Sequence, residues 1–293
     1  EDLAVAVFIQ NAHALQDARI SMERLNDIHA QEDEEYDICN KLSLLPENGT
    51  ITVRDLTYSY SGAERDYAIK NLSLDIPEGK VTAIVGESGS GKTTLIKLLQ
   101  GFYKPNSGTI KVGGISLDCI NPHLWRKSTG SVMQESYIFS DTIAKNIALS
   151  TDEVDVKRLY DSALLANADE FISALPLGYN TRIGMEGSGV SQGQRQRLLI
   201  ARAIYKNPKY LFFDEATNSL DATNERIIME NLQKIFQNRT VVIAAHRLST
   251  VMNADNIVVM KKGEIVEQGT HSELVALRGH YYTLVKNQLE LGK

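Results

Sequence analysis

Cysteine is nearly absent from this chain: Cys39 and Cys119 are the two thiols in 293 residues. So few, so far apart, exclude a disulfide framework and a cysteine-based metal cluster, and they predict free, reduced thiols in a cytosolic setting. Basic charge is not in excess either. With 31 Lys and Arg against 37 Asp and Glu the net charge is −6, so the electrostatic footprint of a nucleic-acid-binding surface is missing. No apolar run approaches the roughly 20 residues of a membrane-spanning helix. The longest early run, Ala4–Ile9, is far too short, and no signal peptide is visible. The first residue is Glu rather than Met, which points to a piece of a longer protein.

What is present is a chain of 43% hydrophobic and 23% charged residues, enough apolar material for a large α/β domain with an appendage or for two small domains. Residues 1 to about 36 contain neither Pro nor Gly. Phe8, Ala12, Leu15, Ala18, Met22, Leu25 and Ile28 recur there at the threes and fours of an amphipathic helix. Asn40–Thr50, with Pro46 and Gly49, reads as a linker. From Ile51 the pattern changes to short strands over 51–60, 68–76 and 81–85, with Pro77-Glu-Gly79 as a tight connection. Residues from about 135 to 206 read as mostly helical, with amphipathic stretches at 153–167 and 168–175. Strands return at 210–213, 240–245 and 256–260. A hairpin follows, turning at Lys261-Lys-Gly263, and then a helical end opened by Thr270-His-Ser-Glu273 as a capping box.

The sharpest signal is residues 86–94, Gly-Glu-Ser-Gly-Ser-Gly-Lys-Thr-Thr, directly after the apolar strand Val81–Val85 and before a helix starting at Thr93. This is G-x-x-x-x-G-K-[ST] with both flanks correct. Backbone N–H groups of Gly86, Glu87, Ser88, Gly89, Ser90, Gly91 and Thr94 and the end of the helix form a concavity for a polyphosphate. Lys92 reaches the terminal phosphates and the Thr93 hydroxyl holds Mg²⁺. A second strand, Tyr210–Phe213, ends in Asp214 and Glu215. Adjacent acids at a buried strand end need solvation or a partner. Alternation across the strand sends them different ways: Asp214 toward Mg²⁺, Glu215 toward an attacking water as general base. A third strand, Val241–Ala245, ends in His246, which could donate to the γ-phosphate or orient the water. Parallel strands would bring Lys92, Glu215 and His246 to one carboxyl edge, where open α/β sheets bind ligands.

At these residues the chain resembles the nucleotide-binding domain of an exporter-type ABC transporter. Val190-Ser-Gln-Gly-Gln194 resembles the signature motif, Gln134 the Q-loop glutamine near Mg²⁺ and the water, Ser219-Leu-Asp221 the D-loop, and His246 the switch histidine. Tyr60 resembles the aromatic that stacks on adenine, and Thr181–Gly187 the exporter loop before the signature. The departure is Gln192, where the pattern has glycine. The resemblance implies a P-loop NTPase fold with a mainly parallel RecA-like sheet, an antiparallel β subdomain, a helical insertion over about 135–206 and a preceding helix. It implies ATP and Mg²⁺ as ligands and ATP hydrolysis as the activity. Catalysis falls to Glu215, His246, Gln134 and Lys92, and Mg²⁺ to Thr93, Gln134 and Asp214. Ser191, Gly193, Gln194 and Asp221 would serve a nucleotide held by a second copy, in a head-to-tail dimer.

Residues 1–47 are similar to the cytoplasmic end of an exporter's last transmembrane helix plus a linker, with 48–293 as the ATPase domain. The implied partner is a transmembrane domain at the cell membrane, with no nucleic acid. The finer likeness is to bacterial peptidase-containing exporters of bacteriocin-like peptides. The alternative is a soluble ABC ATPase acting on DNA, although the uninterrupted domain lacks the coiled coils and zinc modules of that class. A GTPase would need Asn-Lys-x-Asp, and Asn40-Lys-Leu-Ser43 fails at the acid.

Overall fold

The computed structural model describes residues 2–30, 41–61, 66–149, 153–184, 189–217, 220–245 and 251–291. The chain forms two compact units, residues 1–41 and 42–293. In the first, the described residues form one helix, α1 (Asp2–His29). Its Phe8, Leu15, Met22 and Ile28 side chains are exposed. Among the described residues no helix is long and apolar enough to cross a membrane.

The second unit is built on two sheets. Strands β1 (Ile51–Tyr58), β2 (Ile69–Ile76), β4 (Ser107–Val112) and β5 (Ile115–Ser116) form an antiparallel sheet in the order β2-β1-β4-β5. Strands β3 (Val81–Val85), β6 (Thr129–Val132), β7 (Tyr210–Asp214), β8 (Thr240–Ala244), β9 (Asn256–Lys261) and β10 (Glu264–Gly269) form the other, ordered β10-β9-β3-β8-β7-β6. All its pairings are parallel except the β9–β10 hairpin. A parallel sheet covered on both faces favours apolar residues in its central strands, which is why β3, β7 and β8 read as nearly continuous hydrophobic runs. In β7, Tyr210 and Phe212 pack on one face with α2 (Lys92–Leu99) and the antiparallel sheet. Leu211 and Phe213 pack on the other face with α7 (Gln192–Tyr205) and α8 (Ala222–Phe236).

Between β6 and β7 lies the helical insertion: α4 (Ile143–Ala148), α5 (Val156–Leu165), α6 (Asp169–Ser173) and α7. The region expected to be mostly helical also contains irregular stretches at 133–142 and, around a short 3-10 turn at Gly178–Asn180, at 174–184. The helical end divides into α9 (His271–Leu277) and α10 (His280–Leu291), broken at Arg278 in the left-handed region; the Thr270–Glu273 capping box is formed as expected. Strands β4, β5 and β6 and helix α3 (Pro122–Ser128) have no counterpart in the sequence reading. The amphipathic periodicity from Phe8 to Ile28 is a helix, α1, ending at His29, and residues 31–40 lie outside the described ones.

Candidate active site

The phosphate loop joins β3 to α2, and its glycines are dictated by space. A Cβ on Gly86 would stand 2.2 Å from the Met260 carbonyl oxygen. One on Gly91, at φ +104°, would stand 2.6 Å from that of Ala68. Gly89 is different: φ is +76°, yet a Cβ would meet nothing within 4 Å, so this backbone faces open space that a ligand could approach. Helix α2 begins with no side-chain cap and no acid in its first turn, leaving its leading N–H groups and positive dipole end for an anion. It begins at Lys92, one residue before the expected Thr93.

Lys92 is buried, and its Nζ donates to the carbonyl oxygens of Gly86 and Glu87 at 2.9 and 3.0 Å. Burial pushes the ammonium pKa down, opposed by the charges of Glu215 and Asp214. Asp214 is 1% exposed, and neither carboxylate oxygen has a hydrogen-bond partner. Burial pushes its pKa up; the Thr93 hydroxyl opposes that shift, and the charge of Glu215 adds to it. A buried carboxylate is stable only when paired, bonded or ligating a cation. With Thr93 beside it and a polyphosphate cradle above, the donor set fits Mg²⁺, which takes one or two protein oxygens together with phosphate oxygens.

Glu215 leaves the strand in the left-handed region at φ +52°, its N–H bonded to the Ala244 carbonyl. A glutamate there carries backbone strain of order 1–3 kcal/mol, of the kind that gathers at functional sites. Glu215 shares the wall of one cleft of about 470 Å³ with Tyr60, Ser88, Lys92, Thr93 and Gln134. That volume lies in the range of small-molecule sites. Gln134 sits on the turn after β6, where Ser136 Oγ accepts from the Met133 N–H and the Ser136 N–H bonds back to the Met133 carbonyl. The exposed Tyr60 ring stands edge-on to Tyr58 and Tyr103, with its hydroxyl 3.0 Å from Thr94 Oγ1.

Other expected residues are placed elsewhere. Ser191 and Gln194 close a reciprocal capping box at the start of α7, so the Ser191 hydroxyl accepts from its own helix. Gly193 lies within that helix, which begins at Gln192. Gln192 occupies the exposed first helical position, where a glutamine side chain meets no obstruction from a positive φ. Asp221 caps α8 through the Thr223 and Asn224 N–H groups. None of these lines the cleft. His246, Ser219 and Gly187 lie outside the described residues.

One functional contact escaped the sequence reading. Arg202 of α7 donates to the carbonyls of Tyr137 and Asn146 and to Asn146 Oδ1, fastening the segment after Gln134; burial lowers its pKa to about 10. Its only signal was an arginine within an otherwise apolar helical run.

The family model "ABC transporter" matches residues 69–218, half of the chain. The leukotoxin translocation ATP-binding protein LktB of Mannheimia haemolytica is 46% identical over 290 residues, covering 98% of this chain and 40% of that protein. The protein of the same name from Bibersteinia trehalosi matches equally. The chain thus spans about two fifths of the length of these curated relatives. A solved structure of a bacterial Atm1-family ABC exporter with ATP bound superposes with a TM-score of 0.86 at 33% identity, over 94% of this chain and 48% of that one. Sequence and fold agree along nearly the whole length, and the chain belongs to the ABC transporter family, as an ATPase domain.

Proposed function

We propose that this domain hydrolyses MgATP in a head-to-tail dimer of two copies and so powers export of a polypeptide through a transmembrane domain at the cell membrane. The observation that carries the proposal is the convergence of Lys92, Thr93, Gln134 and Glu215 on one cleft, over the buried, unpartnered Asp214. In this reading the adenine stacks on Tyr60 and the triphosphate lies along Gly86–Thr94, with Lys92 between the terminal phosphates. Thr93, Gln134 and Asp214 hold Mg²⁺, which when bound neutralises phosphate charge. Glu215 accepts the proton of the attacking water, and His246 supports the γ-phosphate. Ser191, Gly193, Gln194 and Asp221, all away from the cleft, act on the nucleotide of the other copy. Residues 1–47 link the ATPase domain, 48–293, to the membrane helices. The LktB relatives, named for leukotoxin translocation, favour a polypeptide cargo, among which a bacteriocin-like peptide is the finer choice.

The test is Glu215→Gln. It is expected to keep ATP affinity, to slow phosphate release by about two orders of magnitude or more, and to accumulate an ATP-bound dimer on a sizing column. Phosphate release at the wild-type rate would sink the assignment of the base.

A further inference from the structure

A line of hydrogen bonds runs from the helix that carries Ser191 to the cap of α8. Arg197 of α7 donates through Nη1 to the carbonyl of Asn167 at 2.6 Å. Asn167, between α5 and α6, holds the left-handed conformation (φ +53°) and donates its amide to Asn224 Oδ1 at 2.7 Å. The Asn224 amide in turn donates to Asp221 Oδ2, while the Asn224 N–H bonds Asp221 Oδ1 at 2.9 Å. A second tie reaches the same helix: Thr217 Oγ1 donates to Glu225 Oε1, both residues buried. Asp221 and Thr217, the latter two residues after the strained Glu215 (φ +52°), are thus both tied to α8.

Each member carries a sign of being placed rather than accidental. Asn tolerates the left-handed region that position 167 requires, and its side chain, not its backbone, makes the contact to α8. The Arg197 head is half-buried over the Phe171 ring at 4.8 Å, its Nε without a partner. Burial lowers its pKa, while the charges of Asp221 and Glu170 oppose the shift. The Asp221 carboxyl is held below its ordinary range chiefly by the Asn224 N–H and amide.

We propose that Asn167 and Asn224 are positioning residues that transmit movement of the signature-bearing helix α7 to Asp221 and α8, to which Thr217, two residues after Glu215, is also tied. A nucleotide engaged at the start of α7 would then adjust the general base of the same chain. The inference rests on the proposed function and deepens it, adding two residues that touch no nucleotide.

The informative variants are Asn167→Gly, which keeps the left-handed backbone and the carbonyl for Arg197 while deleting the amide, and Asn224→Asp, which turns the Asp221 donor into a repelling carboxylate. Steady-state phosphate release is measured against ATP concentration, with fluorescent-nucleotide affinity and thermal midpoints alongside. Asn167→Gly is expected to lower kcat about three- to tenfold, with nucleotide affinity and the thermal midpoint near wild type. Asn224→Asp is expected to lose activity at neutral pH and to recover relative to wild type as the pH falls. There the introduced carboxyl regains a proton to donate to Asp221, whose charge also acts on the Arg197 guanidinium. A kcat for Asn167→Gly equal to wild type, or an Asn224→Asp deficit that does not change with pH, would overturn the relay. A wild-type chain without turnover would overturn the reading of the site itself.

Discussion

Asp214 and Glu215 are adjacent, chemically alike, and opposite in how the fold treats them. Asp214 is sealed and unpartnered; Glu215 is on the cleft wall with its backbone strained. The folded-state pKa of Asp214 lies above its unfolded value, so between the two the native chain binds more protons than the unfolded one. Stability therefore falls as pH rises through that window. Metal-free protein is expected to gain stability as pH is lowered through the raised pKa, and Asp214→Asn to flatten that dependence. The same variant is expected to relieve about 1–3 kcal/mol of uncompensated burial, read as a raised thermal midpoint without Mg²⁺, while losing the Mg²⁺-dependent part of nucleotide affinity. A midpoint below wild type would show that the carboxylate is compensated in the metal-free state. Glu215→Asn suits the left-handed backbone better than glutamate and is expected to stabilise the fold by up to about 1 kcal/mol while abolishing turnover.

At the scale of elements, α7 does two jobs, and both depend on arginines facing carbonyls. Arg202 satisfies the Tyr137 and Asn146 carbonyls, and Arg195 donates to that of Ser136, two residues after Gln134, at 2.7 Å. Arg202→Met keeps the length and apolar stem but leaves these acceptors bare. It is expected to cost about 2–3 kcal/mol, measured by urea midpoint, and to make residues 133–142 more susceptible to protease. The capping box of α9 is a separate, smaller matter: Thr270→Ala is expected to cost about 1 kcal/mol and to leave nucleotide binding alone. Strand β6 shows what local pattern cannot reveal. Thr129-Gly-Ser-Val132 has the composition of a loop, and it is a strand because β7 offers it a ladder. Gly130 fits there because a Cβ would press on Pro208 and the Ala203 carbonyl. In β4, only Ile110 and Val112 face the core, too few to mark a strand in advance.

For the whole molecule, the two hydrophobic cores draw all their described residues from 42–293. A chain beginning at Leu42 is therefore expected to keep the thermal midpoint and nucleotide affinity of the longer one. A large drop in either would show that residues 42–293 do not hold the fold by themselves.

The phosphate loop, the acid pair, the parallel sheet and the helical insertion were legible in the sequence because their chemistry is local. A glycine spacing, a lysine-threonine pair and apolar runs mean the same wherever the chain goes. Sequence could not show that Asp214 would be left without a donor, that Glu215 would turn left-handed, or that Ser191 and Asp221 would spend their oxygens on their own helices. Those outcomes depend on which groups from distant segments arrive beside each side chain, and burial and partners exist only once the sheets have closed over the core.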